Sequence, residues 1–227
     1  MSMYSKSKYL IFCLITCFFS CNNNNEVSKE KVLFVPNNNN TSFYTLDKKN
    51  TKIIWNGYKT SDKVKVVGFF TEFSTNRDIL DSSFTSILDL VSGLEFSINS
   101  SSSSSGDPMR DGNLREFFFK YLTNDFKIIG VLGRPGSKCP SDSIDVVFNV
   151  FDIDYQIRFG YNYNIENSLI EIRGPIKLEN EFGAVRAYNA IHEKCYDLHK
   201  GADGVSVTWK EVDIHIKVPV IIFDRSL

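Results

Sequence analysis

The stretch FDIDYQIRFGY at residues 151–161 alternates apolar and polar residues, and so does EVDIHIKVPV at residues 211–220. Successive side chains of a β-strand point to opposite faces of the sheet, so each stretch predicts a strand with one buried face and one wet face. Such long strands suit a meandering antiparallel sheet that closes on itself. A closed sheet has an interior, and an interior lined by Phe, Ile, Tyr and Val can hold an apolar molecule.

Other segments show the same period less strictly. Lys52–Tyr58 and Lys63–Phe73 are typical of a hairpin that turns at residues 60–62, and residues 144–161 are interpreted as one bent strand. The eight predicted strands are Phe43–Leu46, Lys52–Tyr58, Lys63–Phe73, Ser86–Ile98, Phe126–Leu132, Ile144–Tyr161, Ser168–Leu178 and Val205–Ile222.

Two helices are predicted between these strands. Asp107 and Pro108 are typical of an N-cap followed by proline at the first helical position, and a second helix is expected over Ala184–His199, with Gly201 as its stop. The expected apolar stripes are Leu114, Phe117, Phe118, Tyr121 and Leu122 in the first helix, and Ala184, Ala187, Tyr188, Ile191, Cys195 and Leu198 in the second. Because the flanking strands can still pair antiparallel, the pattern favours a mainly-β barrel over an alternating βαβ fold.

Residues 100–106, SSSSSSG, are predicted to form a flexible loop without chemistry. A nucleophilic serine needs a neighbouring base and a rigid turn, and neither is evident in this run.

The N-terminus has the pattern of an export signal. Lys6 and Lys8 precede the apolar run Tyr9–Phe19, which is too short to cross a bilayer as a helix, since that takes roughly 20 apolar residues. The small residue Ser20 before Cys21 resembles a bacterial lipobox, in which the cysteine becomes the lipidated first residue. We therefore expect a lipoprotein signal peptide over residues 1–20 and a lipid anchor on Cys21; the alternative is an ordinary cleaved signal peptide.

The remaining chain divides at a change of composition. Residues 21–41 are rich in Asn and read as a flexible tether, whereas residues 42–227 hold enough apolar sequence for a single barrel domain. With 26 basic and 27 acidic residues, the chain shows no sign of a nucleic-acid partner or of attraction to an anionic membrane surface. The expected location is the bacterial cell envelope, lipid-anchored in the outer membrane or periplasm.

Five cysteines are present. Cys13 and Cys17 leave with the signal and Cys21 carries lipid, so the mature fold keeps Cys139 and Cys195. In an oxidising compartment these two can form a disulfide, and the alternative is two unpaired, partly buried thiols. The sequence does not decide between them, because it does not show whether the Cα atoms come within bridging distance.

Several motifs together resemble the YceI-like family, the lipocalin-like polyisoprenoid-binding proteins of the bacterial envelope. The similarity covers about residues 42–222, and the serine run and the Cys195 helix look like additions. The motifs are YTLD (44–47) followed by IWNG (54–57), VGFF (67–70) with Phe73, IRGPIKL (172–178), and RDGNLREFF (110–118), which is close to the family's R-D-x-x-L-x-x-x-F-F helix.

The resemblance implies an eight-stranded antiparallel lipocalin-like barrel with an elongated apolar cavity for a polyisoprenoid or similar lipid. It implies no catalytic residue, no cofactor other than the bound isoprenoid lipid, and a structural role for Arg110 and Asp111 at a helix start. The partners implied are a hydrophobic small molecule and, through the anchor, a membrane; a homodimer is left open. The expected interior residues are Trp55, Val66, Phe70, Phe96, Phe126, Ile128, Phe151, Ile153, Tyr155, Ile157, Phe159, Ile170, Ile172, Val212, Ile214 and Ile216.

Three other functions compete with lipid binding. His192, Cys195 and His199 are spaced i, i+3, i+7 along one side of the second helix, and imidazole and thiolate are ligands that Zn²⁺ prefers. The alternative protein is therefore a zinc-dependent or redox-active envelope protein. The same residues could supply a thiol nucleophile with its base, and the barrel could instead serve as a scaffold for adhesion or assembly.

Overall fold

The computed structural model describes residues 42–77, 84–136 and 141–224, and these form one antiparallel sheet with few helices. The mainly-β fold predicted from the sequence is confirmed. The strands described are β1 (Ser42–Leu46), β2 (Lys52–Lys59), β3 (Val64–Phe70), β4 (Phe73–Thr75), β5 (Glu95–Asn99), β6 (Ser103–Ser104), β7 (Lys127–Leu132), β8 (Ser141–Val150), β9 (Ile153–Asn164), β10 (Leu169–Lys177) and β11 (Glu211–Asp224).

Four of these strands form two kinked strands, one made of β3 and β4 and the other of β5 and β6. β3 pairs with β6 and β4 pairs with β5. Between the two pairings, the Asn99 N–H donates to the Glu72 carbonyl oxygen over 3.0 Å and the Thr71 N–H to that of Ser102 over 3.4 Å. Because β3 also pairs with β2, hydrogen bonding continues around the ring. β1 and β2 share one edge of β11, so the described strands occupy eight positions around the ring, although they number eleven and not the predicted eight.

The predicted bent strand over residues 144–161 is wrong in one respect: it is a hairpin of β8 and β9. Val150 pairs with Ile153, and Phe151 and Asp152 have φ values of 51° and 63°. Positive φ at both central residues defines a type I′ turn, whose twist matches the flanking strands. Phe151 therefore lies at the hairpin tip rather than inside the barrel.

The predicted last strand begins too early. β11 starts at Glu211, and residues 201–210 form a loop instead. Within this loop, Thr208 makes an isolated antiparallel bridge with Lys59 at the end of β2. The alternation in β11 itself is as predicted, because Val212, Ile214 and Ile216 face the interior.

The serine run is ordered, which contradicts the predicted flexible loop. Residues 100–102 form a 3₁₀ turn that leads into β6. The Ser100 side chain is fully buried and its hydroxyl donates to the Phe126 carbonyl oxygen over 3.0 Å. Ser103 Oγ lies 3.1 Å from Trp55 Nε1 and accepts its hydrogen bond. Short hydroxyls serve here as local partners for backbone and indole groups.

Three helices accompany the sheet in the described residues. The predicted strand Ser86–Ile98 is wrong in its first half, which is the helix α1 (Ile87–Val91), capped by Ser86; only β5 (Glu95–Asn99) is a strand. Five residues are too few to show a helical period. α2 begins as Pro108–Leu114, passes through a π-helical turn at Arg115–Phe119 and ends as Lys120–Leu122. α3 covers Val185–Lys194 and is followed by a 3₁₀ turn at Asp197–His199.

The start of α2 matches the sequence prediction. Asp107 caps the helix by accepting from the backbone N–H groups of Met109 and Arg110 over 3.0 and 3.1 Å. Arg110 also forms an ion pair of 3.3 Å with the Asp107 carboxylate. Asp111 accepts from both the N–H and the hydroxyl of Ser105, at 2.8 and 2.6 Å. Both predicted residues thus have structural partners at the helix start.

The predicted buried face of the second helix is found in α3 and its C-cap, with one exception. Ala187, Tyr188, Ile191 and Cys195 are buried. Leu198 is 52% exposed, because the α-helix has already ended at Lys194 and Leu198 lies in the 3₁₀ turn that follows. The helix is shorter than the predicted Ala184–His199.

The predicted signal peptide (1–20), tether (21–41), Cys21 and Cys139 lie outside the described residues. Within the described ranges, no helix combines the length and the apolar character that a membrane crossing requires.

Candidate hydrophobic-ligand site

The barrel encloses a cavity of about 410 Å³ whose wall is mostly aliphatic and aromatic. Of the sixteen predicted interior residues, eleven line this cavity. They come from β2, β3, β5, β7, β9, β10 and β11, so the wall is built by most of the ring. These eleven are Trp55, Val66, Phe70, Phe96, Ile128, Phe159, Ile170, Ile172, Val212, Ile214 and Ile216.

The other five predicted residues do not line the cavity. Phe151 and Ile153 are 45% and 54% exposed, since the β8–β9 hairpin tip carries them away from the interior. Ile157 is buried in the core, and Tyr155 packs beside Phe182 with ring centroids 6.4 Å apart. Phe126 has φ of 55° in the turn before β7 and packs against the core from there. The strand period gives the face of a residue but not its height in the barrel.

Sequence reasoning missed the contribution of the helices to the wall. The α2 segment supplies Leu114, Phe118 and Phe119, and α3 supplies Tyr188 and Ile191. These residues belong to the apolar stripes already visible in the sequence, except for Phe119. The signal was therefore present, but it indicated burial against the barrel and did not reveal that the helices close over an unfilled space.

One indole ring of the cavity wall lies against a glycine. Trp55 lies over Gly68 of the neighbouring strand, where a Cβ atom would come within 2.2 Å of Trp55 Cζ2. The indole N–H donates to Ser103 Oγ over 3.1 Å, which fixes the ring plane. A glycine opposite an aromatic residue thus allows the ring to lie flat on the inner wall, and the volume beside it stays open.

The entrance is marked by wall residues that also reach solvent. Met109 at the start of α2 is 63% exposed, and Leu198 after α3 is 52% exposed. Beside Leu198, the wall residues Lys59, His199 and Thr208 are also partly exposed. This end of the barrel therefore combines apolar and polar side chains, whereas the remainder of the wall is mainly apolar.

Tyr58 is a further polar residue of the wall near this end. Its hydroxyl donates to the Asp213 carboxylate, and this hydrogen bond, together with burial, raises the pKa of Tyr58 to about 12. The phenol is therefore neutral at physiological pH and acts as a fixed donor.

The proposed zinc ligands do not form a metal site. Among the described residues, no group of three His, Cys, Asp or Glu side chains is arranged to hold a metal ion. Nδ1 of His192 and Nδ1 of His199 instead lie 3.0 and 2.6 Å from the same Thr208 hydroxyl. The zinc prediction assumed a continuous helix that places His192, Cys195 and His199 on one side. The α-helix ends at Lys194, and the Thr208 hydroxyl lies between the two imidazoles.

Cys195 is buried and carries a free thiol. Burial raises the pKa of this thiol, so the neutral form is favoured and the group is a poor nucleophile. The structure favours the unpaired alternative for Cys195, and its candidate partner Cys139 lies outside the described residues.

His199 should make folding stability depend on pH. Burial lowers its pKa to about 4, and the positive charges of Lys59 and His192 act in the same direction. In the unfolded chain the histidine pKa is about 6.5, so between these values the unfolded state binds more protons. Stability is therefore expected to fall by up to about 3 kcal/mol as the pH drops from about 6.5 to 4.

The measurement is chemical denaturation of the wild type and of His199→Gln across this pH range. The variant keeps a polar side chain beside Thr208 but has no titrating imidazole, so its stability should vary less with pH. Parallel pH profiles for the two proteins would show that His199 is not the group responsible.

Comparison with known proteins identifies the fold. No protein-family model and no curated protein sequence matches this chain. Among solved structures, a polyisoprenoid-binding domain from Saccharophagus degradans, implicated in plant cell wall breakdown, aligns with a TM-score of 0.51 at 10% identity, covering 81% of this chain and 98% of its own. BcnA of Burkholderia cenocepacia aligns with a TM-score of 0.52 at 14% identity, covering 78% of this chain and 99% of its own. At these identities the likeness shows the fold, and it confirms the fold expected from the YceI-like motifs.

Proposed function

We propose that this protein binds a polyisoprenoid or a similar hydrophobic chain inside its barrel, for carriage or sequestration and without catalysis. The observation that carries the proposal is the open apolar cavity of about 410 Å³ beneath the helices. This volume lies within the range of about 300–1,000 Å³ that is usual for small-molecule sites. The polyisoprenoid-binding domain from Saccharophagus degradans, which has the same fold, supports the chemical class of the ligand.

The physical basis of binding is the removal of apolar surface from water. Each buried CH₂ group contributes about 0.8 kcal/mol, and association costs about 4–15 kcal/mol in lost freedom of motion. The burial of roughly ten carbons therefore contributes more free energy than the lower end of this range of association costs. A chain of two or more isoprene units has this many carbons, whereas a shorter apolar molecule does not.

The nature of the wall supports binding over catalysis. The side chains that face the open volume along β10 and β11, such as Ile170, Ile172 and Ile214, offer no proton donor or nucleophile. Lys59, His199 and Thr208 form a polar group of wall residues that is partly exposed, and they can orient a ligand there. We propose on the same grounds that the cargo leaves the protein chemically unchanged.

We also propose that the protein is held in the bacterial cell envelope by a lipid on Cys21. The support is the short apolar segment that ends at Ser20-Cys21, followed by the Asn-rich residues 22–25. An anchored barrel on a tether would keep a carrier near the membrane from which a lipid can be drawn.

One experiment tests both parts. The full-length chain and its Cys21→Ala variant are expressed in a bacterium, and each is examined by native mass spectrometry and by organic extraction. We expect a co-purifying hydrophobic molecule in both proteins, and a diacylglyceryl-type mass increase with detergent-phase partitioning in the wild type alone. Extracts that contain no lipid would refute the cargo, and equal partitioning of the two proteins would refute the anchor, each without affecting the other.

A further inference from the structure

The inward-facing row of β2 ends in a positive charge. Ile53, Trp55, Gly57 and Lys59 alternate along one face of the strand, and all four line the cavity. Lys59 is the exception in this row, because its neighbours are apolar or small. In the described part of the chain no carboxylate lies within 4.0 Å of its ammonium group. A lysine that faces an apolar cavity without an acidic partner leaves a charge for a ligand to neutralise.

The position of Lys59 is fixed by the loop before β11. The Thr60 N–H donates to the Val207 carbonyl oxygen over 2.9 Å, and the Trp209 N–H donates to that of Tyr58 over 3.1 Å. Between these bonds, Lys59 and Thr208 are direct antiparallel partners. Residues directly opposite each other have Cβ atoms about 4.5–5.5 Å apart on the same face, so the lysine and threonine side chains leave the backbone together at the cavity wall.

Thr208 connects the lysine to two imidazoles. His192 Nδ1 and His199 Nδ1 lie 3.0 and 2.6 Å from Thr208 Oγ1. A hydroxyl has one proton, so it donates to one imidazole and accepts from the other. This arrangement holds His199, itself a wall residue, at a fixed position beside Lys59.

The arginine of the cavity wall is already neutralised. Arg110 lines the cavity but forms its ion pair with Asp107 at 3.3 Å. Its charge is therefore balanced within α2. Lys48, the other lysine of the wall, precedes β2 and so lies at the opposite end of that strand from Lys59. Among the described wall residues, the positive charge at the C-terminal end of β2 is therefore that of Lys59.

We propose that Lys59 and His199, whose imidazole is positioned by Thr208, form a headgroup site for one anionic group, a carboxylate or a phosphate, carried by the amphiphile whose chain occupies the barrel. The inference rests on the proposed hydrophobic-chain binding and adds that the headgroup of the bound amphiphile is negatively charged. Lys59 supplies a charge-assisted hydrogen bond, which is stronger than a neutral one. Its hydration by bulk water is already reduced by the surrounding wall, so an anion replaces less water than it would at an exposed lysine.

The test uses two ligands with the same chain and different heads. Delipidated protein is loaded with Nile red, a neutral probe, and the dye is displaced by oleate or by oleyl alcohol in phosphate-free buffer at pH 7.5. Wild-type protein should bind oleate about tenfold more tightly than the alcohol. Lys59→Met keeps the length of the side chain without its charge and should lose this preference. The matched control is Lys65→Met on the neighbouring strand, where the lysine is exposed and absent from the cavity wall.

The outcomes separate this inference from the function on which it rests. Equal affinity for oleate and oleyl alcohol in the wild type, or an unchanged preference in Lys59→Met, would overturn the headgroup site while hydrophobic binding stands. Failure of Nile red and of both amphiphiles to bind would overturn both proposals. Inorganic phosphate at millimolar concentration should compete weakly with oleate; if it excludes oleate but not the alcohol, the site takes a free anion and the lipid-head assignment is wrong.

Discussion

Replacing Val212 by Trp and Ile216 by Phe should weaken binding of a long-chain amphiphile by at least about 100-fold without unfolding the barrel. Both residues lie on β11 and face the open volume, so the larger rings can occupy the space that the chain needs. A loss of about 100-fold corresponds to about 2.8 kcal/mol, which is the contribution of only a few buried methylene groups. Isothermal titration with delipidated protein measures the loss, and thermal unfolding reports the stability.

The control carries the same rings on the outside of the barrel. Val131→Trp together with Ile129→Phe makes the same pair of exchanges on β7, where the two side chains are 40% and 46% exposed. This variant should bind like the wild type. Retained affinity in the β11 variant, with both proteins folded, would mean that the ligand does not occupy the interior, and the carrier function would fail with it.

The strand pattern predicted the inner face of the sheet because burial fixes the register. A shift of one residue would move every apolar side chain of β11 to the solvent side, so Val212, Ile214 and Ile216 could be placed inward from the alternation alone. The same argument correctly placed Ile170 and Ile172 on β10. Where one face of a strand is buried, the apolar–polar alternation is sufficient to predict which side chains face the interior and which face solvent.

The apolar–polar alternation gave a wrong prediction at the turn between β8 and β9, because the turn residues continue the alternation of the two strands. Phe151 and Asp152 continue the apolar–polar alternation, yet both have positive φ and form the turn between β8 and β9. Type I′ turns are usually signalled by Asn-Gly or Asp-Gly, and neither occurs here. The alternation therefore gives no sign of the turn, and it wrongly predicted that Phe151 lies inside the barrel.

The polar end of the site depends on contacts between distant parts of the chain. The sequence shows His192 and His199 at helical spacing, which suggested zinc, but not that Thr208 lies between them or that Lys59 pairs with Thr208. The order of the serine run has the same origin, since the partners of Ser100 and Ser103 are Phe126 and Trp55. Such arrangements come from tertiary pairing and leave no periodic signal in the sequence.

The contact between Trp55 and Gly68 predicts a large loss of stability from the smallest possible substitution. In Gly68→Ala the new Cβ atom would come within 2.2 Å of the indole and 2.9 Å of the Ser104 carbonyl oxygen. The ring must leave the wall and give up its hydrogen bond to Ser103. Overpacking costs about 1–3 kcal/mol and the lost hydrogen bond about 1 kcal/mol, so we expect the free energy of unfolding to fall by about 2–4 kcal/mol.

A second glycine on the adjoining strand provides the matched control. In Gly57→Ala the nearest atom to the new Cβ is Trp55 Cζ3 at 3.8 Å, an ordinary contact distance, and alanine normally favours a folded strand slightly over glycine. Urea denaturation should therefore place Gly57→Ala at or above the wild type and Gly68→Ala well below it. Equal stabilities of the two variants would contradict a ring held against Gly68. Because a displaced indole can move only into the open volume, Gly68→Ala should also shift tryptophan emission and weaken chain binding, which links the stability of the wall to the space it encloses.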